Sequence, residues 1–348
     1  MRINLSKFLQ LRCNVFLYKR LNWKAVFLYI VILGKLYFFF NRKEKYTIEE
    51  AVENVFEGIR STSEMKTIKR NVFQGILYHY YEKLFNTYEG NEGLKDFFEE
   101  NIELHCLHKL DTALKDGKGV LFVTGHYGGI EYIPILLALK KYPISVIAKF
   151  KTKDLKENLY QKTKDIGLKI IDADQKNGTL SSIMKELQQN RIVFIECDEI
   201  EEWRPSQKER ISFLGKRIGV DKTITIIQKR TGTTVVFGIL HRFNLQQYSL
   251  IIESYKDILL RLVKTPSSIG EAILEFFEQY IYSYPEEWYQ WKNFMAVKTV
   301  PTSSMQPKEA ELAPLLQPFF ARVSSIVRSP HNISKPSFFE VFFRIRRL

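Results

Sequence analysis

The chain has 348 residues, of which 45% are hydrophobic and 26% are charged, a composition that can bury a folded core. The net charge of +13 lies at the ends, with +9 in residues 1–45, +4 in residues 301–348 and a neutral middle. A nucleic-acid-binding protein usually spreads its basic patch over the folded body, so this placement argues against that class. It favours contact with an anionic membrane surface, although solvated basic tails are the simpler alternative. The three cysteines show no disulfide or metal-site spacing, so no metal is expected.

The N-terminal region contains an apolar stretch from Ala25 to Phe40 that only Lys35 interrupts. As a helix these 16 residues would be roughly 24 Å long, somewhat short of the about 20 apolar residues that span a bilayer. The sequence therefore predicts a marginal transmembrane helix, or one that lies partly in the membrane interface, within an anchor over residues 1–45. An ordinary buried helix is the alternative, and a cleaved signal peptide fits less well because both flanks are charged.

Helical periodicity dominates the next part of the chain, and strand patterns begin after it. The predicted helices are Ile48–Ile59, Met65–Asn86 and Leu94–His108. Beyond residue 117, short apolar runs alternate with helical segments. The predicted strands are Val120–Thr124, Ile144–Phe150, Lys169–Ile171, Ile192–Cys197, Thr234–Leu240 and Tyr248–Glu253. This alternation, with strands that are apolar throughout, predicts an α/β fold with a mostly parallel central sheet flanked by helices, in a folded domain over residues 46–300.

The last 48 residues, 301–348, hold six of the 11 prolines and show no strand pattern. They are predicted to form a flexible basic tail. Its end, Phe338–Leu348, is aromatic and basic, and the sequence is equally compatible with membrane docking and with a merely sticky terminus.

A glycine-rich turn carries the candidate catalytic residues. His126 follows a predicted buried strand directly, and Glu131 lies five residues later at the start of the next helix. The glycines between them permit a tight turn that can fold the carboxylate back onto the imidazole, which leaves the other ring nitrogen to take a proton from a hydroxyl. The turn, with Gly128 and Gly129, is also expected to present free backbone N–H groups to a substrate's negative charge. A core histidine in a glycine-rich turn is the alternative.

Around this turn the chain resembles the bacterial lipid A biosynthesis acyltransferases of the late lauroyl/myristoyl transferase type. The resemblance extends from about residue 20 to residue 298 and begins with the short apolar N-terminal helix. The blocks that follow in the family's order are Thr124–Tyr132 (TGHYGGIEY), Phe194–Glu199 (FIECDE), Ser212–Gly215 (SFLG), Lys229–Leu240 (KRTGTTVVFGIL) and Tyr284–Phe294 (YPEEWYQWKNF). Six ordered blocks are far more specific than one His–Glu pair.

The resemblance implies an acyltransferase domain over residues 46–300 that uses an acyl thioester, carried by acyl-carrier protein or coenzyme A, and a glycolipid acceptor. It implies a location at the cytoplasmic face of the bacterial inner membrane, His126 as general base with Glu131 as its partner, and no cofactor. The family's aspartate falls at Asp198, and its site arginine falls at Lys149, where a lysine keeps the charge but loses the bidentate fork. Glu199 stands where the family usually has glutamine.

Other residues and functions stay open at this point. Arg217, just after the Ser212–Gly215 turn, is a candidate contact for a substrate phosphate. Trp288 and Trp291 are expected to make packing or membrane contacts. A glycerolipid or aminolipid acyltransferase is one rival, although the glycerolipid family usually carries aspartate at the place of Glu131. A non-catalytic lipid-binding protein on the same fold is a rival from another class.

Overall fold

The computed structural model describes residues 5–149, 153–173, 178–199 and 205–297. The predicted tail over residues 301–348 lies outside the described residues, and the division of the chain at residues 45 and 300 stays a prediction. The helices before the main sheet are α1 (Leu5–Leu9), α2 (Arg12–Tyr18), α3 (Trp23–Phe40), α4 (Arg42–Phe56), α5 (Thr62–Tyr88) and α6 (Asn91–Asn101). The later helices are α7 (His108–Lys115), α8 (Ile133–Leu139), α9 (Lys153–Lys164), α10 (Thr179–Gln188), α11 (Thr223–Thr231), α12 (Tyr255–Leu259), α13 (Ile269–Ser283) and α14 (Trp291–Phe294).

Seven strands form the central sheet in the order β1-β9-β8-β2-β5-β3-β4. They are β1 (Ile102–Leu104), β2 (Val120–Thr124), β3 (Ile144–Ala148), β4 (Lys169–Asp172), β5 (Ile192–Glu196), β8 (Thr234–Asn244) and β9 (Gln247–Ser254). Every neighbouring pair is parallel except β8 with β9. Helices flank this sheet, so the predicted α/β fold with a mostly parallel sheet is confirmed.

The register of β2 against β5 positions the candidate site. These two strands are parallel neighbours, and Thr124 at the end of β2 lies opposite Glu196 at the end of β5. The backbone N–H of Cys197 continues the pairing with a 2.7 Å hydrogen bond to the carbonyl of Thr124. The residues that follow the two strands therefore leave the sheet side by side at its carboxyl edge, where ligands bind in open α/β sheets.

Two features of the sheet region differ from the expectation. The predicted helix Leu94–His108 is wrong in its second half, because α6 ends at Asn101 and β1 then pairs with β9 at the sheet edge. That pairing joins segments about 150 residues apart, so no local periodicity reveals it. A hairpin of β6 (Pro205–Phe213) and β7 (Lys216–Asp221) forms a separate antiparallel pair, and no strand was predicted in this part of the chain.

Helix α3 extends the predicted apolar stretch by two residues at its start, where the side chain of Asn22 accepts a hydrogen bond from the backbone N–H of Ala25. Among the described residues, α3 is the one helix that is long and apolar enough to cross a membrane, judged by length and composition. One of its faces is buried in the protein, through residues such as Val26, Ile30 and Gly34.

Helix α5 connects this N-terminal region to the sheet. Glu82 on α5 is fully buried and accepts hydrogen bonds from Arg242 Nε at 2.7 Å and from Tyr248 Oη at 3.0 Å. Burial raises the pKa of Glu82 to about 7, against the opposing effect of Arg242. Breaking such a buried pair is costly because it leaves an uncompensated charge, so α5 is fixed on β8 and β9.

One glycine in α5 permits a close approach that matters for the site. A Cβ at Gly75 would overlap the backbone carbonyl oxygen of Glu286, in the short 3-10 helix Pro285–Glu287 that precedes Trp288. A Cβ at Gly93 in α6 would meet only the flexible side chain of Glu89. The two helical glycines therefore differ in what surrounds them, although both lie within helices.

We expect Gly75→Ala to destabilise the protein by about 1–3 kcal/mol, because the new methyl group must push α5 away from the Pro285–Glu287 segment. Gly93→Ala is the matched control and should be neutral or stabilising by up to about 1 kcal/mol, since alanine favours helix. Urea unfolding followed by circular dichroism measures both. Equal effects of the two substitutions would contradict the close approach at Gly75.

Candidate active site

A cavity of about 520 Å³ opens at the carboxyl edge of the sheet. One part of its wall is apolar and comes from β3, β5, α8 and their neighbours. This part includes Ile130, Ile135, Val146, Leu168 and Phe194. The other part is charged and surrounds His126. The volume lies within the roughly 300–1,000 Å³ usual for small-molecule sites, so the cavity can take an apolar chain with a polar end.

His126 lies at this edge because Gly125 and His126 follow β2 directly. Its Nδ1 lies 2.8 Å from Oδ1 of Asp198, which follows β5 in the same way. The backbone N–H of His126 also donates to both carboxylate oxygens of Asp198, at 3.0 Å each. Asp198 has no exposed surface. The carboxylate therefore fixes the imidazole ring and its tautomer, and Nε2 is the nitrogen that remains for chemistry.

Trp288 completes the environment of Asp198. Its indole Nε1 donates to Asp198 Oδ2 at 2.7 Å, and both side chains are fully buried. Trp288 packs against Trp291 and Phe213 as expected, and in addition its N–H holds the carboxylate that holds His126. Trp291 is a packing residue as expected: it lies against Trp288 with ring centroids 4.8 Å apart, and its own N–H donates to the carbonyl of Pro285.

The outer nitrogen of His126 faces a second acid. Glu199 Oε1 lies 3.1 Å from Nε2, and the Glu199 side chain is 45% exposed. Burial alone would lower the pKa of His126, but the charge and hydrogen bond of Asp198, with the hydrogen bond of Glu199, outweigh it. The pKa of His126 is therefore raised well above its ordinary value.

Glu131 does not contact His126, so that part of the expectation is wrong. Glu131 lies in the short 3-10 helix Ile130–Tyr132, and its carboxylate points toward α5 instead of back along the turn. Its Oε1 lies 2.8 Å from Lys83 Nζ and 3.6 Å from Nε2 of the buried His79. Glu131 still lines the cavity, on the side of α5.

The backbone N–H groups of the glycine turn are also committed elsewhere. Gly128 donates to the carbonyl of Glu287 and Gly129 donates to the carbonyl of Leu240, both at 2.9 Å. These bonds fasten the turn to β8 and to the Pro285–Glu287 helix. The expectation that the N–H groups of Gly128 and Gly129 are free for a substrate is therefore wrong, and their role is to hold the turn that carries His126.

The remaining expected site residues, Lys149, Asp198 and Arg217, lie in three different places. Lys149 is exposed at the end of β3 and lines the cavity, as a substrate contact should. Asp198 is fully buried and serves His126 rather than a substrate. Arg217 lies on β7 and does not belong to the described wall of the cavity.

Sequence reasoning missed three further residues of the cavity wall. Glu196 ends β5 and lies beside His126, and burial raises its pKa to about 7 while the charge of His126 opposes that rise. Lys83 and His79 come from α5, and the ring of His79 stacks on Tyr289 with centroids 3.5 Å apart. Helical periodicity predicted only that this part of α5 has a buried face. It carries no information that this face meets the edge of the sheet.

The partner of the imidazole can be tested by histidine NMR titration on protein labelled at its histidine side chains, with His126→Gln used to assign the signal. Asp198→Asn should lower the pKa of His126 by about 1–3 units, because burial then acts without its main compensation. Glu131→Gln should leave that pKa close to its parent value. A large shift in Glu131→Gln with none in Asp198→Asn would contradict the geometry.

Comparison with known proteins bears on the whole of this region. The family model described as bacterial lipid A biosynthesis acyltransferase matches residues 26–293, more than three quarters of the chain. A search of curated proteins finds no match. The matched range contains the sheet, most of the cavity wall and the residues that contact His126, so the resemblance expected from the sequence blocks is confirmed. The chain therefore belongs to the bacterial lipid A biosynthesis acyltransferase family, and it is an acyltransferase.

Proposed function

We propose that this protein moves a fatty acyl chain from a thioester to a hydroxyl of a lipid A-type glycolipid precursor, at the cytoplasmic face of the bacterial inner membrane. The observation that carries the proposal is the buried Asp198–His126 pair beside a cavity whose wall is apolar in one part. A histidine whose inner nitrogen is fixed by a carboxylate and whose outer nitrogen faces a cavity is suited to general-base catalysis. The family match supports acyl transfer as the reaction.

The proposed reaction begins when the acceptor hydroxyl displaces Glu199 from Nε2 of His126. The ring, in its neutral form, takes the hydroxyl proton, and the oxygen attacks the carbonyl carbon of the thioester. The tetrahedral intermediate breaks its carbon–sulfur bond, and the departing sulfur receives the proton back from His126. Asp198 stabilises the imidazolium between these two proton transfers, as the buried carboxylate does in catalytic triads.

The developing oxyanion needs a positive group, and three lysines line the cavity: Lys83, Lys149 and Lys292, the last of which lies 3.9 Å from Glu44. Lys83 is 30% exposed and Lys149 is exposed, and both line the cavity. Burial would lower the pKa of Lys83, but Glu131 more than compensates, and the pKa is raised. We assign oxyanion stabilisation to Lys83 and give Glu131 the role of holding it, with Lys149 at the entrance for the thioester carrier or a phosphate.

The thioester carrier is acyl-carrier protein or coenzyme A in this proposal, and the acyl chain lies against the apolar part of the cavity wall. No cofactor or metal has a role in these steps. Within the described residues, no group of histidine, cysteine and acidic side chains has the arrangement of a metal site.

One observation favours a second class of acceptor. Glu196 and Glu199 both line the cavity beside His126, which places two carboxylates where the acceptor headgroup must lie. An ammonium group complements such a pair better than a phosphate does. An aminolipid acceptor is therefore the second candidate, and lipid mass spectrometry of a strain with and without the gene distinguishes it from a glycolipid.

The proposal predicts that His126→Ala reduces acyl transfer from a radiolabelled acyl thioester at least about 100-fold, because the general base is lost. The assay uses membranes that contain equal amounts of each variant. His105→Ala is the matched control and should keep the parent rate, since His105 is exposed and lies outside the cavity wall. Unchanged transfer by His126→Ala would disprove the mechanism.

The Glu199 contact predicts a defined change in pH dependence. Transfer requires neutral His126, so activity falls as the pH drops below the pKa of the ring. Removing the negative charge in Glu199→Gln lowers that pKa, and the acid limb of kcat/KM should move toward lower pH by about 1 unit. Glu157→Gln, an exposed carboxylate on α9, should leave the limb unchanged. An acid limb that stays fixed in Glu199→Gln would show that this contact does not tune His126.

A further inference from the structure

Helix α3 packs along α5 over its whole length. Trp23 at its start meets Phe85 with ring centroids 4.7 Å apart, and Phe38 near its end meets Phe73 at 5.0 Å. In the middle, a Cβ at Gly34 would overlap the side chain of Leu77, so the two helices approach closely there. Because α5 also carries Lys83 into the cavity, α3 is part of the same folded body as the active site.

The segment before α3 folds back along it. Tyr29 Oη donates to Asn14 Oδ1 at 2.9 Å, so α2 lies beside the first half of α3. Phe8 of α1 meets Tyr37 with ring centroids 6.0 Å apart, so α1 lies beside its last turn. Helix α1 therefore lies near the end of α3 at which α4 begins.

This arrangement is incompatible with a helix that crosses a bilayer. A spanning helix of 18 residues, about 27 Å long, keeps the segments before and after it on opposite sides of the membrane. Here Leu5 and Ser6 of α1 line the same cavity as Glu44 and Ile48 of α4. If α3 spanned the membrane, α1 would have to leave the cavity wall.

The outward face of α3 is nevertheless apolar. Leu28, Ile32, Leu36 and Phe39 follow the i, i+4 and i+3 spacing of one helical face and are 53%, 48%, 47% and 63% exposed. Phe40 extends this face and is 80% exposed. These five residues, called the α3 stripe below, form a row that a water-soluble surface rarely presents.

Basic residues surround the α3 stripe. Lys24 and Lys35 are exposed on α3 itself, and Arg42, which begins α4, lies over the ring of Phe39 at 5.8 Å. Residues 1–45 carry ten basic side chains and one acidic one. An apolar face bordered by lysine and arginine is the surface that lies in the headgroup region of an anionic bilayer, where the long basic side chains reach the phosphates.

We propose that α3 lies flat on an anionic lipid bilayer through the α3 stripe and does not cross it, and that the cavity opens to that same leaflet between α1 and α4. The cavity wall there includes Lys292, which lies 3.9 Å from Glu44. A lipid acceptor then reaches His126 from the leaflet without leaving the interface. The lipid route rests on the proposed function, whereas docking of the α3 stripe does not.

Vesicle flotation of the purified full chain tests the docking. With vesicles of phosphatidylethanolamine and phosphatidylglycerol, the triple variant Leu28→Ser/Ile32→Ser/Leu36→Ser should lose at least about tenfold in partition coefficient. Leu260→Ser/Val263→Ser removes another exposed apolar pair, 78% and 71% exposed, and should bind as the parent does. Vesicles of phosphatidylcholine alone should bind the parent more weakly. Parent-like vesicle binding of the triple variant overturns the proposal. A triple variant whose oligomeric state changes while its vesicle binding stays that of the parent overturns it as well.

Labelling of Cys13 with a membrane-impermeant maleimide tests the topology. Cys13 is exposed on α2, and Lys43→Cys in a Cys106→Ser background supplies a second site after α3. If α3 lies in the membrane plane, both cysteines should be labelled in inverted membrane vesicles and neither should be labelled in spheroplasts. A spanning helix would instead label Cys13 from spheroplasts alone, and that result would overturn the proposal. His126→Ala should behave as the parent in both experiments, so failure of the proposed chemistry and failure of the docking are distinguishable.

Discussion

Asp198 is a carboxylate without any exposed surface, and a buried negative charge is stable only where donors surround it. Its donors come from two different parts of the fold: His126 after β2 and Trp288 after α13. The shared register of β2 and β5 brings the first within reach, and the close packing of α5 on the Pro285–Glu287 helix supports the second. The geometry of the candidate base therefore depends on meeting the needs of one buried charge.

A second charged group faces the first across the cavity. Glu131, Lys83 and His79 form it, and two of the three come from α5. Because α3 packs on the other side of α5, the surface that we propose to contact lipid and the side chains that line the cavity share one helix as their support. The N-terminal region is therefore more than a tether, since removing α3 would also expose the face of α5 that it covers.

The parts that could be predicted from sequence are those with local signals. The apolar runs gave β2 and β5 closely, and the glycine turn after β2 identified His126. Its partner was not predictable from spacing, because Asp198 lies 72 residues away and is brought near by strand order. Glu131 was close in sequence, yet the 3-10 helix turned it toward α5. The roles of Lys83 and Trp288 depend on contacts between distant elements, for which helical periodicity carries no information.

The position of Trp288 in the chain has a consequence for biosynthesis. The segment from Pro285 to Trp291 accepts the N–H of Gly128, donates to Asp198 and packs against α5, yet it is among the last of the described chain to be made. A nascent chain whose β2 and β5 have left the ribosome still lacks the indole that holds Asp198. The environment of the His126–Asp198 pair is therefore incomplete until the ribosome has released nearly all of the described chain, so unfinished chains should lack the activity that we propose.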